Sequence, residues 1–382
     1  MKKLLTFLGL IPFALVAAPL LGPSAEISVL TCSPGDELYS VFGHSAIRIY
    51  EPGKIDYVYN YGTFQFDDDF YVKFAQGKLN YRLSRSNFES FNYEYIMTGR
   101  GVLEQVLALD SATAQAMFDF LEVNYLPENR YYLYDFFYDN CATRIRDVIG
   151  EVAGSRLSYN SDFAPDSASF RNMIDLYLVG MPWADFGIDI ALGAPCDTKM
   201  AAQQNMFLPD YVFYELQQAT LDGAPLVKEV REILPPQYTL TPAPFSAPVI
   251  AAGSVTLLFF VLLMLQVVRG SAPVWPARLF LALIGLVGIA VFLLWFATDH
   301  VTTKNNFNLV WAFPLHLIAA FAWNSKAKLA VLYRRTSFFA YLLLAALAWF
   351  LPQQLHSAAY LFLVALLFVF AASYIRESRN SA

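Results

Sequence analysis

Five long apolar runs in the second half of the chain constrain its fold more than any other feature. They cover residues 248–268, 279–298, 307–324, 336–351 and 357–374. A helix that crosses a bilayer needs about 20 predominantly apolar residues. We therefore predict an all-α transmembrane domain of five helices over residues 248–376. The third and fourth runs have short apolar cores, so their limits are approximate.

The distribution of positive charge predicts how these helices are oriented. Lysine and arginine are concentrated in the segments that follow the first, third and fifth runs: Arg269, Arg278, Lys326, Lys328, Arg334, Arg335, Arg376 and Arg379. The opposite segments carry only Lys304. Because cytoplasmic loops are enriched in lysine and arginine, we expect a cytoplasmic C-terminus and an N-terminal domain outside the cytoplasm.

The first 25 residues favour the same orientation. Lys2 and Lys3 precede an apolar core, and small residues follow it. This is the layout of a secretory signal. Cleavage near Ala18 or Ala25 and retention as an uncleaved signal anchor both remain open.

Residues 26–233 have a mixed composition and predict an extracytoplasmic α+β domain. The predicted strands are 27–31, 45–50, 55–61, 79–84 and 101–108, and the predicted helices are 66–78, 111–125, 141–150, 169–178 and 199–218. Residues 181–189 are predicted to form a loop whose aromatic side chains either pack on the domain or face lipid. Residues 234–247 are rich in proline and predict a stiff linker. The net charge of −6 gives no support for binding to nucleic acid.

Cys141 lies at the predicted start of a helix that ends at Gly150. Asp139 and Asn140 precede it and are good N-cap residues. Unpaired backbone N–H groups and the helix dipole favour a thiolate there, and Arg144 and Arg146 add positive charge nearby. Most free cysteines are simply buried apolar residues, so these residues alone leave Cys141 open between a nucleophile and a core thiol.

The N-terminal domain contains one histidine, His44, of the four in the chain. A general base for Cys141 from the same domain must therefore be His44, because a Cys–His pair produces a thiolate at neutral pH. A hairpin that closes residue 50 onto residue 54 places Asn60 opposite His44, and we predict that Asn60 orients the imidazole. Asp56 is the alternative.

Further polar residues lie in the outward-facing loops. We predict substrate binding by Asn140, beside Cys141, and by His300, Thr303 and Asn306 of one outer loop, which would form a lipid head-group site. Ordinary polarity at a membrane surface is the more common explanation for the three loop residues. His316 lies within the third run, either packed or contacting a ligand. The cysteines and histidines have no metal-ligand spacing, and we expect no metal or cofactor. Cys32 and Cys196 either pair or remain free thiols.

The chain resembles the Lnb-type lipoprotein N-acyltransferases. The matching segments are CSPGDELYSVFGHSAIRIY, VYNYGTFQF, FYDNCATRIRD, MPWADFGIDIALGAPCD and HVTTKNNFNLVWAFPL. The resemblance implies a permuted papain-like domain in which the histidine precedes the cysteine, with Cys141 as nucleophile and His44 as base. It also implies diacylglyceryl-modified lipoproteins and membrane lipids as partners, and a place in the bacterial cytoplasmic membrane.

Two other classes of function remain open beside the acyltransferase. A membrane-anchored papain-like cysteine hydrolase would act on a peptide, on peptidoglycan or on a lipid ester. A non-catalytic membrane receptor or assembly factor would use neither residue chemically. An ion-coupled transporter is disfavoured because the apolar runs carry no charged residue at their centres. The oligomeric state stays undetermined.

Overall fold

The structure is a computed structural model that describes residues 18–64, 68–159, 168–237 and 239–381. The predicted signal segment falls largely on residues 1–17, outside the described residues. The described part has an N-terminal domain rich in β-sheet, followed by a helical region, and so confirms the α+β class and the order of the two parts.

The N-terminal domain is built on an antiparallel sheet with the strand order β10-β5-β1-β2-β3-β4-β6. Its strands are β1 Glu26–Cys32, β2 His44–Glu51, β3 Ile55–Thr63, β4 Asn80–Asn87, β5 Val102–Leu107, β6 Tyr131–Leu133 and β10 Val227–Leu234. Three short strands form a second sheet: β7 Leu157–Ser158, β8 Thr220–Leu221 and β9 Ala224–Pro225. The five predicted strands are therefore confirmed, with shifts of a few residues at their ends.

Helices cover both faces of the large sheet. The helices of this domain are α1 Phe70–Gln76, α2 Phe88–Thr98, α3 Ser111–Tyr125, α4 Cys141–Ala153, α5 Phe170–Leu178, α6 Pro182–Ala191 and α7 Pro209–Gln218. On one face α3 and α4 pack on a core that includes Ile47, Ile49 and Tyr59. On the other face α2 packs over Ala46 and Val58. Successive side chains of β2 and β3 therefore point to opposite faces of the sheet, and helices bury both faces.

Three local predictions in this domain were wrong. Helix α6, Pro182–Ala191, lies where a loop was predicted over 181–189, and Pro182 is tolerated in its first turn because the missing N–H costs nothing there. The helix predicted over 199–218 is interrupted, and α7 begins only at Pro209. Helix α4 continues past Gly150 and ends at Ala153, with Gly154 at positive φ as its C-cap.

The helical region contains four described helices long enough and apolar enough to cross a membrane. They are α8 Ala247–Arg269, α9 Trp275–Phe296, α11 Lys328–Leu347 with its extension to Phe350, and α12 Ser357–Ser381. The third predicted span is instead a 3₁₀ turn, Phe307–Val310, followed by the short helix α10 Leu315–Phe321. Pro314 lies between the two pieces, where it cannot continue a helical hydrogen-bond ladder.

Within the described residues, loops at one end of these helices contact the N-terminal domain. The backbone N–H of Asp299 donates to Gln76 O at 2.9 Å, and the Gln353 amide donates to Leu192 O at 2.8 Å. At the other end Arg334 pairs with Glu377 at 2.6 Å. The loops predicted to face outward therefore lie against the N-terminal domain, as the charge distribution requires.

Candidate active site

His44 opens strand β2 and lies beside Asn60 of β3. Its Nε2 atom is 2.6 Å from Asn60 Oδ1. A carbonyl oxygen only accepts hydrogen bonds, so Nε2 carries a proton and donates it to Asn60. The other ring nitrogen, Nδ1, is then the one available to Cys141, with which the imidazole forms its second hydrogen bond.

The register of the hairpin differs from the prediction, although the predicted partner is present. Glu51 pairs with Ile55 and Ile47 pairs with Tyr59, so the same register extended places residue 62 opposite His44. The shift is two residues, which preserves the face of the strand on which a side chain lies. Asn60 is therefore a diagonal neighbour of His44 instead of its direct partner, and it still reaches the imidazole.

Gly62 occupies the place opposite His44 and leaves room for the cysteine. Its φ is +90°, and a Cβ atom there would lie 3.5 Å from Cys141 Cβ and 3.8 Å from His44 Cε1. A side chain at this position would be strained and would fill the space around the pair. No sequence signal other than the glycine itself pointed to this role.

Cys141 is the first residue of α4, as predicted, and Asn140 is the N-cap. The Asn140 side chain accepts from the N–H groups of Ala142 and Thr143, both at 2.9 Å. Its amide donates to Phe136 O and Phe207 O at 2.7 and 2.8 Å. Asn140 is buried and its polar atoms are used within the chain, so the structure gives it a positioning role instead of the predicted contact with substrate.

The environment of Cys141 favours the charged form of the Cys–His pair. Burial opposes ionisation of the thiol, but His44 and the backbone N–H groups of Ser45 and Ala142 outweigh it and hold the pKa of Cys141 below its ordinary value. Burial likewise opposes protonation of His44, but Cys141 and then Asn60 outweigh it and raise the pKa of the imidazole. The two directions agree, and both favour the thiolate–imidazolium form of the pair over the neutral form.

The two arginines that follow Cys141 do not act on the thiol as predicted. Arg144 forms an ion pair with Asp139 and lies over the Tyr132 ring, 4.2 Å from its centroid. Arg146 pairs with Asp147 at 2.8 Å. Their charge is thus balanced locally, and the thiolate depends on His44 and on backbone N–H groups.

Cys32 and Cys196 are free and buried, which excludes the disulfide between them. Burial raises the pKa of each thiol to about 12, because it outweighs the polar neighbours that lower the pKa. Cys196 Sγ lies 3.7 Å from Thr302 O. Neither thiol ionises at neutral pH, so Cys141 is the cysteine of the three with nucleophilic character.

The predicted substrate residues of the outer loop lie in the contact between the two parts of the chain. The Asn306 amide donates to Ile190 O at 2.8 Å and Ala191 O at 3.0 Å. Thr303 Oγ1 donates to Leu294 O at 2.8 Å, and both residues are buried. His300 is half-buried, and its Nε2 donates to Phe74 O at 2.9 Å. Asn306 and Thr303 therefore hold the structure together instead of presenting polar atoms to a lipid.

The same contact includes charged groups that sequence spacing did not reveal. Arg171 is fully buried between Asp189 and Asp197. Ligand atoms of Asp185, Asp189 and His356 lie within 4.8 Å of one another. His356 Nδ1 accepts from Ala358 N–H at 3.1 Å, so its Nε2 carries the proton and points at Asp185, 3.5 Å away. The imidazole is thus a hydrogen-bond donor here instead of a metal ligand.

His316, inside the third predicted span, is packed and satisfied. Its Nδ1 lies 2.8 Å from Tyr333 Oη and its Nε2 lies 2.5 Å from Tyr341 Oη. The side chain is 1% exposed. Of the two alternatives for this residue, the structure favours packing.

Comparison with known families assigns both halves of the chain. Residues 21–175 match the Lnb N-terminal periplasmic domain, and residues 241–381 match the Lnb transmembrane domain. The first match contains His44, Asn60 and Cys141. The comparison with curated proteins gave no match, and neither did the comparison with solved structures.

Proposed function

Because the chain belongs to the Lnb family, a family of membrane proteins with a periplasmic domain, we propose that it is an acyltransferase of bacterial lipoprotein maturation. It moves an acyl chain, taken from the sn-2 ester of a diacylglyceryl-cysteine, to the α-amino group of that N-terminal cysteine. The product is a lyso-form lipoprotein. The observation that carries this proposal is the Cys141–His44–Asn60 arrangement outside the membrane-spanning helices.

The first half of the reaction makes a thioester. The Cys141 thiolate attacks the carbonyl carbon of the ester, and a new S–C bond forms. The bond between that carbon and the glyceryl oxygen then breaks. His44, as imidazolium, gives its Nδ1 proton to the departing oxygen, which leaves as an alcohol. Asn60 holds the ring in the required tautomer by accepting from Nε2.

The second half transfers the acyl group to nitrogen. The neutral α-amino group of the lipoprotein attacks the thioester carbon, and His44 Nδ1 takes the proton that the nitrogen loses. The C–S bond breaks, so the thiolate and the imidazolium are both restored. The N–H groups of Ala142 and Thr143 already bond Asn140, so the backbone N–H of Cys141, at the first position of α4, is the donor that stabilises the oxyanion in each half.

The membrane location follows from the substrates. Both the acyl donor and the amine acceptor carry lipid chains and stay in the outer leaflet of the cytoplasmic membrane. A catalytic domain fixed to the outer ends of α8, α9 and α12 meets them without extraction into water. Fixing both reactants near the catalytic groups also removes much of the entropy cost of bringing them together.

Mass spectrometry of lipoprotein N-terminal peptides tests the proposal. Cells that make the protein are compared with cells that make the Cys141→Ser variant at equal level. We expect an N-acylated, singly O-acylated glyceryl-cysteine in cells with the wild-type protein. Cells with the Cys141→Ser variant should contain only the diacylglyceryl form. An unchanged lipid pattern contradicts the transferase, and cleavage of a peptide, a glycan or a lipid ester without N-acylation assigns the protein as a hydrolase.

The source of the acyl group needs a second label. A synthetic diacylglyceryl lipopeptide with a deuterated sn-2 chain is incubated with the full-length protein in unlabelled phospholipid. Transfer of the deuterated chain to the α-amino group supports the lipoprotein as donor. Transfer of an unlabelled chain, with the deuterated ester intact, identifies the phospholipid as donor and contradicts that part of the proposal.

A further inference from the structure

Five aromatic side chains connect the surroundings of Cys141 with the membrane region, and we call them the aromatic column. Its members are Tyr134, Tyr81, Phe64, Phe70 and Phe74. The ring centroids of Tyr134 and Tyr81 are 4.1 Å apart, and those of Tyr81 and Phe64 are 5.2 Å apart. The ring centroids of Phe64 and Phe70 are 5.3 Å apart, and those of Phe70 and Phe74 are 6.4 Å apart. Each step is within the range of direct aromatic contact.

The inner end of the column lies beside the catalytic cysteine. Gly62, two residues before Phe64, lies against the catalytic pair, since a Cβ atom there would be 3.5 Å from Cys141 Cβ. The charge of Cys141 also acts on the hydroxyl groups of Tyr81 and Tyr134. Burial and then Cys141 raise the pKa of Tyr81 to about 12, so this phenol stays neutral at working pH. All five side chains of the column are therefore uncharged, next to a nucleophile that must receive a fatty acyl ester.

The outer end of the column is fixed to the loop between the second and third predicted spans. Helix α1, which carries Phe70 and Phe74, is held there by Asp299 N–H to Gln76 O and by His300 Nε2 to Phe74 O, both at 2.9 Å. Gly77 ends the helix at φ +71°, and its position leaves no room for a Cβ against His300. The position of α1 is thus set by the outer end of α9.

The exposed side chains at this end are apolar. Val72 and Phe74 on α1 are 56% and 53% exposed, and Phe296 and Val301 on the neighbouring segment are 60% and 51% exposed. Large apolar side chains exposed at the outer end of a membrane-spanning helix face lipid at low cost, whereas in water they would be unfavourable. The aromatic column therefore runs from the exposed ring of Phe74 through the buried rings of Phe70 and Tyr81 towards Cys141.

We propose that the aromatic column is the acyl-chain site: the chain of the ester substrate lies along Phe74, Phe70 and Phe64 while its carbonyl carbon meets Cys141. This inference rests on the proposed function and names the residues that set its preference for long acyl chains. The column fits an acyl chain better than a peptide because its rings carry no charge that would fix a polar backbone. Each methylene placed on that surface contributes to binding.

The test compares a long-chain with a short-chain ester on the full-length protein in detergent. Acylation of Cys141 by 4-nitrophenyl palmitate and by 4-nitrophenyl acetate is followed by nitrophenol release and by the mass of the intact protein. We expect Phe74→Ala to slow acylation by palmitate about tenfold, which corresponds to about 1.4 kcal/mol, and to leave the acetate rate unchanged. Phe350→Ala is the matched control, since Phe350 is 82% exposed at the outer end of α11 but outside the column.

The outcomes separate the inference from the proposed function. Equal slowing of both esters, or no slowing of either, by Phe74→Ala overturns the acyl-chain site. A wild-type protein that forms no adduct at Cys141 with either ester overturns the proposed function instead. Phe74→Trp, which restores ring surface, is expected to restore the palmitate rate, and failure to do so also counts against the acyl-chain site.

A crosslinking experiment tests the location directly. The palmitate ester carries a diazirine at the end of its chain, and the labelled residues are mapped after irradiation of the acylated protein. We expect label on helix α1, Phe70–Gln76. The main alternative lies at the other outer loop, where Trp349 and Tyr360 line a cleft of about 710 Å³. Label confined to that cleft overturns the proposal.

Discussion

Two polar regions of this protein resemble each other in sequence but not in what their atoms do. Around Cys141, His44 and Asn60, the hydrogen bonds favour ionisation of one half-buried sulfur atom. In the outer loop that contains Thr303 and Asn306, the side chains bond backbone carbonyl groups and are buried. The comparison teaches that a run of polar residues at a membrane surface indicates chemistry only when an atom remains free to react.

The largest effect is expected from removing the reacting groups. We predict that Cys141→Ser and His44→Ala each lower the rate of N-acylation of a diacylglyceryl lipopeptide by about 10⁴-fold or more. The thermal unfolding midpoint should stay close to that of the wild type. Cys196→Ala is the control, because it removes a buried thiol away from the site. Near-normal rates in either catalytic variant would contradict the mechanism.

The second largest effect is expected at Arg171, which is buried between Asp189 and Asp197. Arg171→Leu leaves Asp189 and Asp197 buried without their cation, and we expect the free energy of unfolding to fall by about 3–5 kcal/mol. The midpoint of thermal unfolding measures this loss. Arg156→Leu, which removes an exposed arginine from its ion pair with Asp110, is the matched control and should change the midpoint little. Equal shifts of the unfolding midpoint in the two variants would show that the buried ion pairs of Arg171 stabilise the fold no more than an exposed pair does.

A smaller effect on rate is expected at Asn60. Asn60→Ala should lower activity by about 10- to 100-fold, because the imidazole loses its orientation. Asn60 also raises the pKa of His44, so the alkaline limb of the pH–activity profile should move to lower pH in this variant. The acid limb, which follows ionisation of Cys141, should move less.

Asn60→Asp provides the control for this pH shift. Its carboxylate accepts the same Nε2 proton, and its charge favours the imidazolium more strongly. We expect the alkaline limb to lie at or above its wild-type position. A limb that is unmoved in both variants would show that Asn60 does not act on His44.

The smallest effect is expected in the outer loop. Asn306→Ala removes two hydrogen bonds to backbone carbonyl groups and should lower the free energy of unfolding by about 1–3 kcal/mol. Because the amide has no free polar atom for a substrate, KM for the lipopeptide should not change. A raised KM with unchanged stability would instead support the substrate-binding role predicted for Asn306 from the sequence.

Much of the architecture could be predicted because it depends on local or one-dimensional patterns. Apolar runs predicted the helical region, and Asn140 marked the start of α4 correctly. The orientation that the lysine and arginine bias indicates stays a prediction. The break in the third predicted span and the helix at 182–191 were missed. Both depend on prolines whose effect changes with position, since proline ends one helix and begins another.

The sequence by itself determined which residues can react: one histidine lies in the N-terminal domain, and one cysteine lies at a capped helix start. Only the tertiary structure decided how they are used. The hairpin register made Asn60 a diagonal neighbour and placed Gly62 opposite His44, and a two-residue shift cannot be read from a pattern of period two. Burial decided that Asn306 and Thr303 bond the chain itself, because the partners of a polar side chain lie far away in sequence and are fixed only by folding.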